Sequence, residues 1–153
     1  MIRTAIGSVV GPLVAAVVSA IARTANGHRL RPLSTHERRD LSAVFPGLDL
    51  SRVQIAEGSR LPLLPPFVAI TLGHSIYVRG HLARRPVTLL AHELAHVRQF
   101  DERGWFGMTA AYAALWLRHG YTHHPLEVEA RAAERAFLSR EKAAPSAADV
   151  RTG

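Results

Sequence analysis

The sequence predicts an α+β domain. Two observations carry this: a strand-like alternation between residues 50 and 80, and a change to a helical period of 3.6 after residue 86. A third sets the scale. With 153 residues and 48% hydrophobic composition, the chain fits one globular domain with its own core.

The first element is the least decided. From Ala5 to Ala22, "AIGSVVGPLVAAVVSAIA" carries no charge and lies between Arg3 and Arg23. About 18 apolar residues is the lower limit for a membrane span. Three readings stay open. A signal peptide fits the short basic start and the small-x-small site Ala20-Ile21-Ala22. An anchor fits the length, with Arg23, Arg29 and Arg31 favouring a cytoplasmic C-terminal side. A packed N-terminal helix needs neither. Residues 23–33, polar and basic with Gly27 and Pro32, read as a linker.

The folded domain is expected over residues 34–142. Ser34-Thr-His-Glu37 has capping-box spacing and opens a helix that turns Leu41, Val44 and Phe45 inward before "FPG" at 45–47. "LSRVQIAEGS" reads as a strand near 50–57, and "FVAITLGHSIYVRG" as two strands, or one bent strand, broken at Gly73. The sheet is expected to be small and antiparallel. Pro86 sits at a first helical position, so 87–100 reads as a helix, followed by helices near 105–118 and from Pro125. Tyr112, Leu115, Trp116 and Leu117 of the middle helix read as core, with Trp105 and Phe106 available to line a groove. Residues 143–153 read as a disordered tail.

Composition excludes several classes. There are no cysteines, so zinc ribbons, thiol nucleophiles and disulfide scaffolds are ruled out. A tightly bound zinc would have to use His, Asp and Glu, which suits a catalytic site better than a structural one. The net charge of +7 comes from dispersed arginines without a recognised binding motif, and no specific nucleic-acid partner is expected.

The stretch with chemical content is "LLAHELAHVRQF", residues 89–100. His92 and His96 are four apart, so a helix places both on one face, roughly 6 Å apart along the axis. Two imidazoles can then converge on one cation. Glu93 points about 100° away from His92 and is suited to act as a general base on water beside the metal. Leu90, Leu94 and Val97 form an apolar stripe, while Ala91 and Ala95 permit close packing. A third ligand is still required. "THHPLEVEARAAERAF" offers Glu127 and Glu129, which lie about 200° apart on a helix, so only one can face the metal. Helical phase, with Leu126, Ala130, Ala133 and Phe137 as the apolar stripe, leans towards Glu129.

"HELAH", followed some 30 residues later by "PLEVEA", resembles the zincin metallopeptidases, in the branch whose third ligand is a Glu on a later helix. That branch carries Glu-x-x-Ala, which maps onto Glu127-Val-Glu-Ala130. "AITLGHSIYVRG" is similar to the edge-strand region of small bacterial HELxH proteins without an assigned function. The resemblance covers roughly residues 33–140. It implies a compact zincin-like domain in which His92, His96 and Glu127 hold Zn2+ and Glu93 is the catalytic base. The substrate would be a peptide or protein, bound along a strand within residues 67–79. One departure matters: the branch often has Asp at the fifth motif position, where this chain has Arg131, so another group must orient a ligand histidine.

Tyr121, His123 and His124 stand before the last helix and are candidates to stabilise an oxyanion or to cap that helix. His28, His36, His74, His81 and His119 lack ligand spacing and read as surface residues. The resemblance implies a zinc-dependent peptidase of bacterial type. It would be membrane-associated through residues 5–22 or exported if that segment is an anchor or signal, and otherwise cytoplasmic. The competing expectation is a catalytically silent binding or assembly module on the same fold.

Overall fold

The computed structural model describes residues 20–24, 26, 29–59, 68–82, 88–119 and 123–143, the side chains of Ala113 and Trp116 excepted. The expectations for residues 1–19, His28, Pro86, Tyr121, the Trp116 side chain and the tail beyond Ala143 lie outside the described residues. Among the described residues no helix is long and apolar enough to cross a membrane.

The α+β class holds. In chain order the elements are β1 (Leu30–Pro32), α1 (Thr35–Ser42), β2 (Gln54–Glu57), β3 (Ala69–Leu72), β4 (Ser75–Val78), α2 (Thr88–His119) and α3 (Pro125–Ala143). A single 3-10 turn at Leu50–Arg52 precedes β2. The strand expected over 50–57 is therefore shortened at its start. Asp49 accounts for this, because its carboxylate accepts from the Ser51 amide and winds the chain.

Helix α1 begins as its capping box requires. Ser34 Oγ accepts from the Glu37 amide at 3.2 Å, and Glu37 Oε2 accepts from the Ser34 amide at 2.7 Å. Arg31 then bridges Glu37 and Glu57, both at 2.9 Å, tying the helix start to β2. This corrects the linker assigned to residues 23–33. Leu30–Pro32 form an edge strand, and Ala22 and Asn26 are fully buried.

The four strands lie in the order β1-β2-β4-β3. β1–β2 and β3–β4 are antiparallel, but β2 and β4 pair in parallel, Ile55 opposite Ile76. The sheet is thus mixed, where a wholly antiparallel one was expected. β3 and β4 are two strands of a hairpin that turns at Gly73, whose φ of +62° suits a residue without Cβ. A Cβ there would also come within 3.1 Å of the Trp105 indole.

Alternation on the two central strands sends side chains to both faces. Ile55, Ile76 and Val78 join the main core with Leu33, Leu41, Phe45, Leu90, Leu94, Val97 and Phe137. Ala56 and Tyr77 face the other way and pack with Ala22, so the end of the N-terminal apolar segment covers the second face.

The helices expected at 87–100 and 105–118 form one run broken at Gly104, where φ is +65° and ψ 171°. The first arm buries Leu90, Ala91, Leu94, Ala95 and Val97. The second arm is less buried than a core helix should be: Met108 is inside, but Phe106 and Leu117 are exposed. Leu126, Ala130, Ala133 and Phe137 of α3 are all buried, as its apolar period requires.

Candidate metal centre

The first arm of α2 supplies both histidines because four residues make just over one turn. Their Nε2 atoms lie 3.3 Å apart, too near for two ring protons to point at each other without cost. α3 supplies Glu127, with Oε2 3.4 Å from His92 Nε2 and Oε1 3.4 Å from His96 Nε2. One potential ligand atom from each of the three residues lies within 4.8 Å of the other two. No single element could make this set. It depends on close packing of α2 and α3, whose Ala91, Ala95 and Ala130 are all fully buried.

Glu127, not Glu129, therefore faces the histidines. Glu129 turns to Arg98, at 2.7 Å, and to the Gln99 amide, at 2.9 Å. The apolar stripe misleads here because a buried face can contain a polar group when that group has partners.

Glu127 is buried, which alone would raise its pKa. The imidazoles of His92 and His96 and the hydroxyl of Tyr112 outweigh burial and hold its carboxyl well below the usual range. His96 shows the converse. Burial pulls its pKa down, but Glu127, Glu93 and Gln99 together raise it. Among the described residues, Glu127 Oε2 is buried without a hydrogen-bond partner. A cation between the three side chains would satisfy that oxygen, so this donor set fits a metal.

Other side chains surround the ligands. Gln99 Oε1 is 2.9 Å from His96 Nδ1, and Glu134 Oε1 is 3.2 Å from His92 Nδ1. Tyr112 donates to Glu127 Oε1 at 3.0 Å. Arg131 leaves the fifth motif position without a carboxylate, but Glu134 and Gln99 put side-chain oxygens where the histidines need them. Glu93 is buried and is not one of the three potential ligands. Its Oε2 accepts from the Thr71 hydroxyl of β3 at 2.7 Å.

The residues before α3 divide. His123 is exposed, whereas His124 is fully buried, with Nε2 3.1 Å from the Tyr112 carbonyl. Its ring lies 4.3 Å from that of Tyr112. His124 thus fastens the second arm of α2 to the start of α3. Tyr112, expected in the core, is the hydroxyl that reaches the site. His74 also departs from a plain surface reading, since its Nε2 lies 2.9 Å from Asp101 and its side chain is largely covered. His36 and His81 are exposed as expected.

Thr71, Gln99, Tyr112 and Glu134 were not singled out by motif. Two had a usable signal: Gln99 is three residues after His96, and Glu134 is seven after Glu127, so each shares a helix face with a ligand. Thr71 and Tyr112 come from elements whose approach only the tertiary fold determines.

Residues 32–104 match the eCIS core domain, a family of uncertain function named for an extracellular contractile injection system. The match covers just under half of the chain. It contains β2, β3, β4, His92, Glu93 and His96 but only Pro32 of β1, and it stops at Gly104, before Glu127. No zincin or peptidase family was found, although the motif had suggested one. No curated protein and no solved structure matches the chain.

Proposed function

We propose that the protein is a zinc-dependent peptidase. The observation that carries this reading is the convergence of His92, His96 and Glu127 beside the buried carboxylate of Glu93. Two imidazoles and one carboxylate form a borderline donor set that suits zinc and leaves a coordination position free. A zinc ion held there would act as a Lewis acid on the scissile carbonyl and on water.

The remaining work falls to the chain's own groups. Glu93 takes a proton from the attacking water and delivers it to the leaving amine. Thr71, by occupying one Glu93 oxygen, leaves the other to act as base. β3 is the terminal strand of the sheet and lies beside the helix carrying Glu93. An extended peptide adding to its outer edge would pass the carboxylate, which supports a peptide substrate over a small ester.

The test uses the full chain, zinc analysis and a fluorescein-labelled casein substrate. Wild type should bind one zinc and cleave the casein. Glu93→Gln should keep the zinc and lose cleavage, and His92→Ala should lose both. Normal zinc binding after His96→Ala would refute the assignment.

The match to the eCIS core domain favours a second reading, a module that serves binding or assembly and performs no hydrolysis. Stoichiometric zinc with no cleavage of any member of a peptide library, and no difference between wild type and Glu93→Gln, would favour it.

A further inference from the structure

We infer that Glu134 is the positioning residue for His92, holding its ring in the tautomer that leaves Nε2 free for a metal; this rests on the metal reading above. His92 Nδ1 lies 3.2 Å from Glu134 Oε1, while its Nε2 is directed at Glu127 and His96. A carboxylate can only accept from Nδ1–H. Accepting there puts the ring proton on Nδ1 and the lone pair on Nε2, the atom that converges with the other ligands.

Helix geometry explains why this residue can take the place left empty at Arg131. Seven residues turn a helix through about 700°, only about 20° short of two full turns, and advance it by about 10 Å. Glu134 therefore lies on the Glu127 face, two turns further on. α2 and α3 run antiparallel across the site: Gln99 meets Leu126, His96 meets Glu127, and His92 meets Glu134. Moving back along α2 by one turn thus requires moving forward along α3. Glu127 serves both histidines, and the next carboxylate on that face arrives behind the earlier one.

The two histidines are therefore oriented by different chemistries. His96 is buried and has the neutral amide oxygen of Gln99, whereas His92 has a carboxylate that is itself about one-third exposed. A carboxylate oxygen is a stronger acceptor from Nδ1–H than a neutral amide oxygen. It can therefore strengthen His92 as a donor to a cation, which a neutral amide does less well.

The experiment compares the full-length wild type with Glu134→Ala, Glu134→Gln and Glu134→Asp. Zinc affinity is measured by competition with a chromophoric chelator, and the His92 tautomer by long-range 1H–15N spectra of the metal-free protein at pH 8. Wild-type His92 should be the Nδ1–H tautomer. Glu134→Ala should weaken zinc about 10- to 100-fold at unchanged stoichiometry, and should populate the Nε2–H form. Glu134→Gln, whose amide oxygen still accepts, should keep the tautomer and lose less affinity; Glu134→Asp tests reach. Thermal unfolding of the metal-free variants separates a folding defect, because the glutamine variant should melt with wild type. A His92 already in the Nε2–H form in wild type, or a Glu134→Ala affinity within about threefold of wild type, would overturn the assignment. Wild type that binds no zinc would refute the metal reading, and the tautomer spectra would still decide the role of Glu134.

Discussion

Gln99 Oε1 lies 2.9 Å from His96 Nδ1, and the amide nitrogen of the same side chain reaches the Leu126 carbonyl at 3.1 Å and Glu129 at 2.9 Å. One fully buried side chain thus orients a ligand histidine and joins the two helices that build the site. Replacing it with leucine keeps its approximate volume but strands the His96 ring nitrogen and removes the donor that Gln99 gives to the Leu126 carbonyl and to Glu129. An orphaned buried group costs roughly 1–3 kcal/mol. Gln99→Leu should lower the stability of the metal-free protein by about 2 kcal/mol or more in urea unfolding, and should also weaken zinc. A stability equal to wild type would mean that the network does not join the helices.

The two candidate carboxylates give a clean contrast. Glu127→Gln removes the charge that faces His92 and His96, so zinc affinity should fall by at least about 100-fold. Among the described residues Glu129 meets Arg98 and Gln99, and a partly exposed ion pair contributes on the order of 1 kcal/mol or less. The zinc affinity of Glu129→Gln should stay within about fivefold of wild type. Calorimetric titration of zinc into both variants checks the pair, and equal losses would return Glu129 to contention.

Much of this was legible in the chain because it rests on local periodicity. The Ser34–Glu37 box, the Gly73 turn, the break at Gly104 and the Pro125 start are each visible within a few residues. The His92–His96 spacing is of the same kind. What was hidden depends on pairing at a distance. Leu30-Arg31-Pro32 has no strand pattern of its own and becomes a strand only because Leu30 meets Ala56. The parallel pairing of β2 with β4 places the β3 turn of chain between them in sequence but outside them in space. Glu127 defeated the phase argument because its burial depends on two histidines of another helix and on Tyr112, none of which α3 itself reveals.

Tyr112 offers a third expected outcome. Its hydroxyl holds Glu127 Oε1, leaving Oε2 as the oxygen that lacks a hydrogen bond. Tyr112→Phe keeps the ring against His124 and removes only that donor. A hydrogen bond to a charged acceptor contributes about 1.5–3 kcal/mol, so the metal-free protein should lose stability of that order in urea unfolding and zinc should weaken roughly 10-fold. An unchanged affinity would show that the helices alone fix the carboxylate.

The last prediction concerns acid stability away from the metal site. Arg31 donates to both Glu37 oxygens at 2.9 Å, and the Ser34 amide adds a third bond. The Arg31 guanidinium is the main cause that lowers the Glu37 pKa from its ordinary 4.5 to about 2, against opposing burial. Because the folded-state pKa lies below the unfolded one, Glu37 binds protons more readily in the unfolded chain. Its stabilising contribution is therefore fully present above about pH 4.5 and is lost as pH falls towards about 2. Glu37→Gln removes this titration and leaves the capping geometry nearly intact. The stability difference between wild type and Glu37→Gln, from urea unfolding at each pH, should be constant from pH 7 to about 5 and then shrink steadily towards pH 2. Salt should reduce it, because the pair is partly exposed. A difference that stays flat through this acid window would mean that the ion pair between β1 and α1 does not distinguish the folded from the unfolded chain.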